Sequence, residues 1–314
     1  MTDDLSRHHL SDDNLARIFA ERIVEDLFAD SSPSFDPLLI LVGAQPGAGK
    51  TLVGNEIGAQ SGQAMVPILG DNLRAYHPGY LTLLDSFPEA MPNATAQAAG
   101  RWVEMASDFA AEHRISVRIE GTWRDPRTSI DTAERFAGMG FHIEGHLLAV
   151  SPEVSHLSIL KRFVDGEMSE GWARYTSLEA HDASVCGIPD TLAALSRRGG
   201  AVDRMVVRSR QRILFDRSRR PRGSFLRGGL AALQAERDRP MGDEEFARWC
   251  SQKDAAVSRV EDRYPGHEGL SRLARQLAFD QTHLEYSRAG LAYRRGRVGD
   301  GRDIPPRRGD SLSR

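Results

Sequence analysis

The chain has 314 residues of which 40% are hydrophobic, enough to bury a sizeable core, so wholesale disorder is excluded. A formal net charge of -3 gives no global attraction to nucleic acid or to an anionic membrane, and any such contact needs a local patch. The two cysteines, Cys186 and Cys250, have no CxxC or CxxH neighbour, which excludes a disulfide framework and a cysteine-built zinc site and predicts two buried thiols. The opening "MTDDLSRHHLSDDNLARIF" is acidic where a signal peptide is basic and then apolar, and no stretch reaches the length of a membrane span. A soluble cytoplasmic protein is expected.

Residues 12 to 29 set Leu15, Ile18, Phe19, Ile23, Leu27 and Phe28 at helical spacing behind the capping stretch "SDDN", which predicts a helix entering the core. "SSPSFDP" ends it, and "LLILVG" follows as a continuous apolar run, the pattern of a strand buried on both faces. The alternation then repeats: a helix from Lys50, a strand at 65 to 70, a helix around 93 to 113, a strand at 115 to 121, a helix over 127 to 138, the strand "FHIEGHLLAV" and the capped helix "SPEVSHLSILKRFVDG". Strands alternating with helices specify a mainly parallel sheet with crossover helices. From 166, "GEMSEGWARYTSLEAHDASVCGIP" is polar and carries glycines and a proline, so a long irregular or partly helical lid is expected, with a helix resuming at "DTLAALSRRGG". "AVDRMVVRSRQRILFDR" reads as two short strands or a hairpin completing the sheet, 225 to 292 as helical, and the Gly, Pro, Arg and Asp of the last residues as a disordered tail. The expected organisation is an N-terminal helix (1–37), a P-loop kinase-like α/β domain with helices on both faces of a parallel sheet (38–217), a C-terminal helical extension (218–292) and the tail (293–314).

"AQPGAGKT" fits the Walker A pattern with alanine in place of the first glycine, and it lies between a buried strand and a helix, where the mechanism needs it. Gly43, Ala44, Gln45, Pro46, Gly47, Ala48 and Gly49 then form the loop that cradles phosphate oxygens, with the backbone N–H groups of all but Pro46 and the positive helix end. Lys50 neutralises the outer phosphates of ATP, and Thr51 offers a hydroxyl to Mg²⁺. The chain has no NKxD or TKxD base-recognition motif and no ABC-type signature, so a small-molecule kinase is favoured over a GTPase or a motor.

Three further clusters complete the candidate site. "GDNLRAYHPGY" follows a strand, so Asp71 lies in the crevice where α/β sheets bind ligands and is placed to accept the proton of an attacking hydroxyl, with Arg74 and His77 supplying charge or hydrogen bonds. Asp71 as a plain helix cap is the structural alternative. "IEGTWR" also follows a strand, and puts Glu120 and Thr122 where they can bond a polar substrate or orient Mg²⁺. Arg162 and Arg174 flank the beginning of the lid, ahead of "HD" at 181 and 182, as guanidinium groups that stabilise a transferred phosphoryl, or as solvated surface arginines.

"GAQPGAGKT", "GDNLRAYHPGY", "IEGTWR" and the arginine pair before "HD", in that order, resemble the zeta toxin family, the toxin half of bacterial toxin–antitoxin pairs. The resemblance runs from about residue 38 to residue 216. It implies a P-loop kinase fold and ATP-dependent phosphorylation of the 3′-hydroxyl of the aminosugar in UDP-N-acetylglucosamine. It also implies roles by position: Lys50 and Thr51 at the nucleotide phosphates, Asp71 as base, Glu120 and Thr122 on the sugar nucleotide, and Arg162 and Arg174 as the phosphate-stabilising pair. Glu104 and Thr132 are further substrate contacts on position alone.

The resemblance further implies an antitoxin partner. The apolar residues of the extension, among them Leu226, Leu230, Leu233, Phe246, Trp249, Val257, Val260, Leu270, Leu273, Leu277, Phe279 and Leu284, suit helices that bind that separate antitoxin or cover the site in cis, or a plain stabilising cap. Two other functions share parts of the pattern. A phosphotransferase acting on an antibiotic or another small hydroxyl compound uses the same residues. An ATP-regulated nucleic-acid-binding protein is suggested by the arginines at 204, 208, 210, 212, 217, 219, 220, 222 and 227, but only Phe215 and Phe225 accompany them for base stacking, which leaves nucleic acid the weaker reading.

Overall fold

The computed structural model describes residues 5–87, 89–170, 175–218 and 225–299. Two short helices, α1 (Asp12–Ile18) and α2 (Val24–Phe28), are joined through a π-helical turn at Phe19–Ile23, and the first is capped by the Ser11 side chain. Then come β1 (Leu38–Gly43), α3 (Lys50–Gln60), β2 (Val66–Leu69), α4 (Gly70–Leu73), α5 (Tyr80–Ser86), α6 (Met91–Ala94), α7 (Ala96–Glu112), β3 (Val117–Gly121) and α8 (Pro126–Gly138). The chain continues with β4 (His142–Leu148), α9 (Pro152–Glu170), α10 (Leu178–Leu195), β5 (Arg204–Arg208), β6 (Ile213–Ser218), α11 (Leu226–Arg237), α12 (Asp243–Arg263) and α13 (Glu268–Gly299).

The sheet has six strands in the order β2-β3-β1-β4-β5-β6. All neighbours are parallel except β6, which closes the edge as an antiparallel hairpin partner of β5. β1 is therefore central, with β3 on one side and β4 on the other, and the loop after it opens at the point where the connections diverge. Its alternation divides the core: Leu39 and Leu41 face a cluster with Leu15, Trp102, Phe136 and Ile143, while Leu38, Ile40 and Val42 face Val53 and Ile57 of α3. Both faces are covered by helices, as the uninterrupted apolar run requires.

The region expected to be a long lid is mostly helix. α9 runs on to Glu170 and α10 starts at Leu178, so only 171–177 stand between them, of which 171–174, with Arg174, lie outside the described residues. Gly187 and Pro189, which suggested a break, lie inside α10 for identifiable reasons. Proline removes the donor that would meet the carbonyl four residues earlier. Here that carbonyl, Val185 O, accepts from Arg237 Nη1 at 3.2 Å. Gly187 lets α10 approach the β3–α8 loop, since a Cβ there would fall 2.1 Å from Arg124 O.

The C-terminal helices form a core of their own with α9. Leu157, Leu160, Phe163 and Val164 pack against Trp249, Val260, Leu270, Leu273, Leu277 and Leu284, so α12 and α13 cover the face that α9 turns away from the sheet. Phe279, expected in this packing, is instead exposed. α13 continues to Gly299, past the expected boundary at 292, and the rest of the expected tail lies outside the described residues. Neither thiol is fully buried as expected: both cysteines are free, Cys186 exposed and Cys250 partly so. Among the described residues no helix is long and apolar enough to cross a membrane.

Leu277 is fully buried between α13 and α9. Leu277→Ala is expected to cost about 2–5 kcal/mol in urea unfolding, the range for a leucine removed from a packed core. An unchanged midpoint would mean that these helices do not share a core.

Candidate active site

The loop after β1 is shaped by close approach and left-handed backbone. Gly43 lies beneath the indole of Trp123, where a Cβ would come within 2.0 Å of the ring. Trp123 is itself buried, with φ at 51° and its carbonyl accepting from Thr191 Oγ1 at 2.8 Å. Gly47 and Gly49 have φ of 78° and 99°, which an L side chain rarely adopts, and a Cβ on Gly47 would meet Ser155 O at 2.4 Å. Gln45 is fully buried and its Nε2 donates to Val150 O at 2.8 Å and to Ser155 Oγ at 3.2 Å, which fixes the loop to the end of β4 and the start of α9.

Lys50 opens α3, and its Nζ donates to Ala44 O at 2.8 Å and Gln45 O at 3.2 Å. Burial pushes its ammonium down from 10.5 to about 8; Glu120 and Asp71 pull the other way, and Arg162 adds to the lowering. Asp71 in the turn after β2, Glu120 on β3 and Arg162 on α9 therefore all act electrostatically on Lys50. The strand register explains the gathering: Glu120 on β3 pairs with Val42 on one side and Leu69 on the other, so the loop after β1 and the turn after β2 leave the sheet beside it.

Glu120 is nearly buried. Its Oε1 lies 3.4 Å from Arg118 Nη2, and its Oε2 accepts from Thr51 Oγ1 at 3.3 Å. Burial raises its carboxyl above the usual range, against the pull of Arg118 and Lys50. Arg118 also donates to Asn55 Oδ1 at 2.9 Å, and Gly54 leaves room for the pair, since a Cβ there would fall 2.7 Å from Glu120 Oε1. Asp71, in α4, is half-exposed and accepts from Arg74 Nε at 3.2 Å; Arg74 is anchored by Pro92 O and Thr95 Oγ1 at 2.5 and 2.7 Å. Arg162 on α9 donates to Thr176 Oγ1 at 2.6 Å, just before α10.

The remaining expected residues are placed differently. His77 is buried with both ring nitrogens engaged by backbone: Nδ1 accepts from Gly79 N at 3.0 Å and Nε2 lies 2.9 Å from His8 O, so it fastens the turn to the N-terminal segment. Glu104 is exposed on α7 and paired with Arg101 at 2.5 Å. Thr132 donates to Thr128 O of its own helix at 2.8 Å, and Thr122 is exposed at the end of β3.

A match of the zeta toxin family model to residues 22–220 covers more than half of the chain. The chain belongs to the zeta toxin family. It is 32% identical to Toxin PezT of Streptococcus pneumoniae over 176 residues, 55% of this chain and 69% of that protein. It is 26% identical to Toxin zeta of Enterococcus hirae and to Toxin zeta of Streptococcus pyogenes, each over 180 residues, 56% of this chain and 62% of theirs; the match thus spans less than two thirds of the zeta toxins' own length. Its fold is that of a structure solved for the PezAT chromosomal toxin–antitoxin system of Streptococcus pneumoniae, with a TM-score of 0.65 and 23% identity over 81% of this chain and 98% of that one. That share exceeds what residues 1–217 make up, so the likeness of fold reaches into the C-terminal helices. The chain is a P-loop kinase-like member of the zeta toxin family.

Two residues of the site escaped the reading of motifs. Arg118 stands two places before Glu120 in one strand, so both side chains fall on one face; the period of two is the signal that could have found it. Arg210, in the turn between β5 and β6, donates from Nε to Ala48 O at 2.9 Å and from Nη2 to Gly47 O at 2.8 Å and Ser158 Oγ at 3.1 Å, bracing the loop from outside. It had counted only as one of a run of arginines. Its neighbours are also engaged within the fold, Arg204 with Glu144 and Asp216, Arg208 with Glu56 and Arg212 with Glu236, which takes most of the described run away from a nucleic-acid surface.

A polyanion held against Lys50 raises the value of about 8, so its binding is expected to take up protons at about pH 8. Calorimetry of ATP binding in buffers of different ionisation enthalpy measures this, with Lys50→Met losing the effect. Equal heats in all buffers would place the anion elsewhere.

Proposed function

We propose that this chain is an ATP-dependent kinase that phosphorylates the 3′-hydroxyl of the aminosugar in UDP-N-acetylglucosamine or a related UDP-sugar. The observation that carries the reading is the convergence of Lys50, Asp71, Glu120 and Arg162 beside a phosphate-binding loop at the carboxyl edge of the sheet. The choice of acceptor rests on the family.

In this reading the backbone N–H groups of 44, 45 and 47–50 and the Lys50 ammonium hold the outer phosphates. Asp71, oriented by Arg74, accepts the proton of the acceptor hydroxyl as its oxygen bonds to the γ-phosphorus; the bridging bond to the β-phosphate breaks and ADP carries its electron pair away. Arg162, with Arg174 as its counterpart by family position, stabilises charge on the transferred group. The Thr51 hydroxyl and Glu120 carboxylate, 3.3 Å apart, are hard oxygen donors of the kind that suits Mg²⁺, which when bound neutralises charge on the phosphates. By family position Glu120 also reaches the sugar nucleotide, together with Thr122 and, more remotely, Glu104 and Thr132. A separate antitoxin is the favoured partner over cover in cis, because α12 and α13 bury their apolar residues against α9.

Incubation with ATP, Mg²⁺ and a panel of UDP-sugars, aminoglycosides and other hydroxyl compounds, followed by mass spectrometry, tests the reading. A phosphorylated UDP-sugar is expected, and phosphorylation of another class alone would replace the acceptor. Lys50→Ala is expected to abolish transfer and retain the fold. Asp71→Asn is expected to keep ATP binding and slow transfer roughly 10²- to 10⁴-fold; a normal rate would reduce Asp71 to a helix cap.

A further inference from the structure

A chain of buried polar side chains runs from the last helix to the phosphate loop. α9 contributes the adjacent residues Ser155 and His156, and α10 the adjacent residues His181 and Asp182. Asp280 of α13 lies at one end, its Oδ2 2.8 Å from His156 Nδ1. His156 Nε2 is 3.1 Å from Asp182 Oδ1, and the same oxygen is 2.8 Å from His181 Nδ1. His181 Nε2 is 2.9 Å from Ser155 Oγ, which accepts from Gln45 Nε2 at 3.2 Å. All but Asp182 are buried.

The protons of this chain have a consistent assignment. Each ring nitrogen of His156 faces a carboxylate oxygen, which only accepts, so both donate; burial lowers the His156 value, and Asp280 and Asp182 outweigh it and raise it. Burial, with the charge of His156 beside it, pushes His181 down to about 4; it stays neutral, donates from Nδ1 to Asp182 and turns its Nε2 lone pair to Ser155 Oγ at 2.9 Å, whose hydroxyl also has Ser151 O and Pro152 O within reach at 3.1 Å. Ser155 keeps a lone pair for Gln45. The other polar atom of the Gln45 side chain, Oε1, has no hydrogen-bond partner among the described residues, so the loop side chain is anchored through its Nε2 alone.

We propose that Asp280 is a positioning residue for the phosphate loop, acting from the last helix through His156, Asp182, His181 and Ser155 on Gln45. The inference rests on the reading of that loop as the nucleotide site. Without the Asp280 carboxylate, the charge-assisted bond that fixes His156 is lost; Ser155, the adjacent residue of α9, and the bond that Gln45 donates to it are then held less firmly. The turn of α9 that carries Ser155 also touches Gly47 through its carbonyl, so displacement there reaches the glycine backbone directly. The C-terminal helices are thereby part of what makes the loop competent, beyond covering α9.

The test uses the full chain and ATP with Mg²⁺ as the probe. Asp280→Asn keeps the shape and removes the charge; Ser155→Ala interrupts the chain at the loop end, with no contact to Asp280. Each is expected to weaken ATP binding roughly 2- to 30-fold in calorimetry, and to raise KM for ATP while leaving KM for the acceptor unchanged. The double variant is expected to be no weaker than the worse single one, since either substitution breaks the same path. Leu284→Ala, which loosens the same helix without touching the chain, is expected to lower the melting temperature and leave ATP affinity unchanged in the folded range. Unchanged affinity in Asp280→Asn, multiplying effects in the double variant, or equal losses in Leu284→Ala would overturn the proposal. If Lys50→Ala in the same series binds ATP normally, the failure lies with the reading of the loop itself.

Discussion

An ammonium buried at the carboxyl edge of a parallel sheet constrains everything around it. Lys50 has given up water for two loop carbonyls, and burial lowers its affinity for a proton far enough that neutral pH just keeps it charged. Such a group needs carboxylates at a distance, and Glu120 and Asp71 supply them from neighbouring strand ends. Burial raises the Glu120 carboxyl in turn; Arg118 beside it pulls the other way, and the glycine at 54 leaves room where a side chain would displace the pair. Buried ion pairs of this kind contribute little net stability and cost much when one partner is removed. Their value is the preset field they hold at the loop.

The loop itself is rigid because it is held from several directions. Trp123 lies on Gly43, Gln45 is threaded between the ends of β4 and α9, and Arg210 binds the Gly47 and Ala48 carbonyls from the β5–β6 turn. A backbone arranged in advance spends little free energy on rearranging when an anion arrives. Packing carries this outward: Val154 of α9 lies on the cluster of β1, β4 and α3, and the following turns of α9 pack against α12 and α13.

Membership of the zeta toxin family and the gathering of Lys50, Asp71, Glu120 and Arg162 at one edge of the sheet are what the kinase reading rests on. The acidic turn after β2 and the glutamate at the end of β3 reach that edge by strand register alone. His77 took a different course. Its place two residues before Gly79 makes it the fastener of a turn, and its second nitrogen holds the N-terminal segment.

Local signals determined the strand-loop-helix of the phosphate site, the parallel alternation, the β5–β6 hairpin and the places of Lys50, Thr51, Asp71 and Glu120, because periodicity and a glycine-rich turn act over a few residues. Those same signals failed at 178 to 195, where Gly187 and Pro189 read as a break. The helix survives there because Arg237, 52 residues away, satisfies the Val185 carbonyl. Arg210 and Asp280 were invisible for the same reason: a guanidinium on two loop carbonyls and a carboxylate on a distant histidine leave no pattern in the chain near them. Contacts between residues far apart in sequence, once folding had buried both ends, decided their partners.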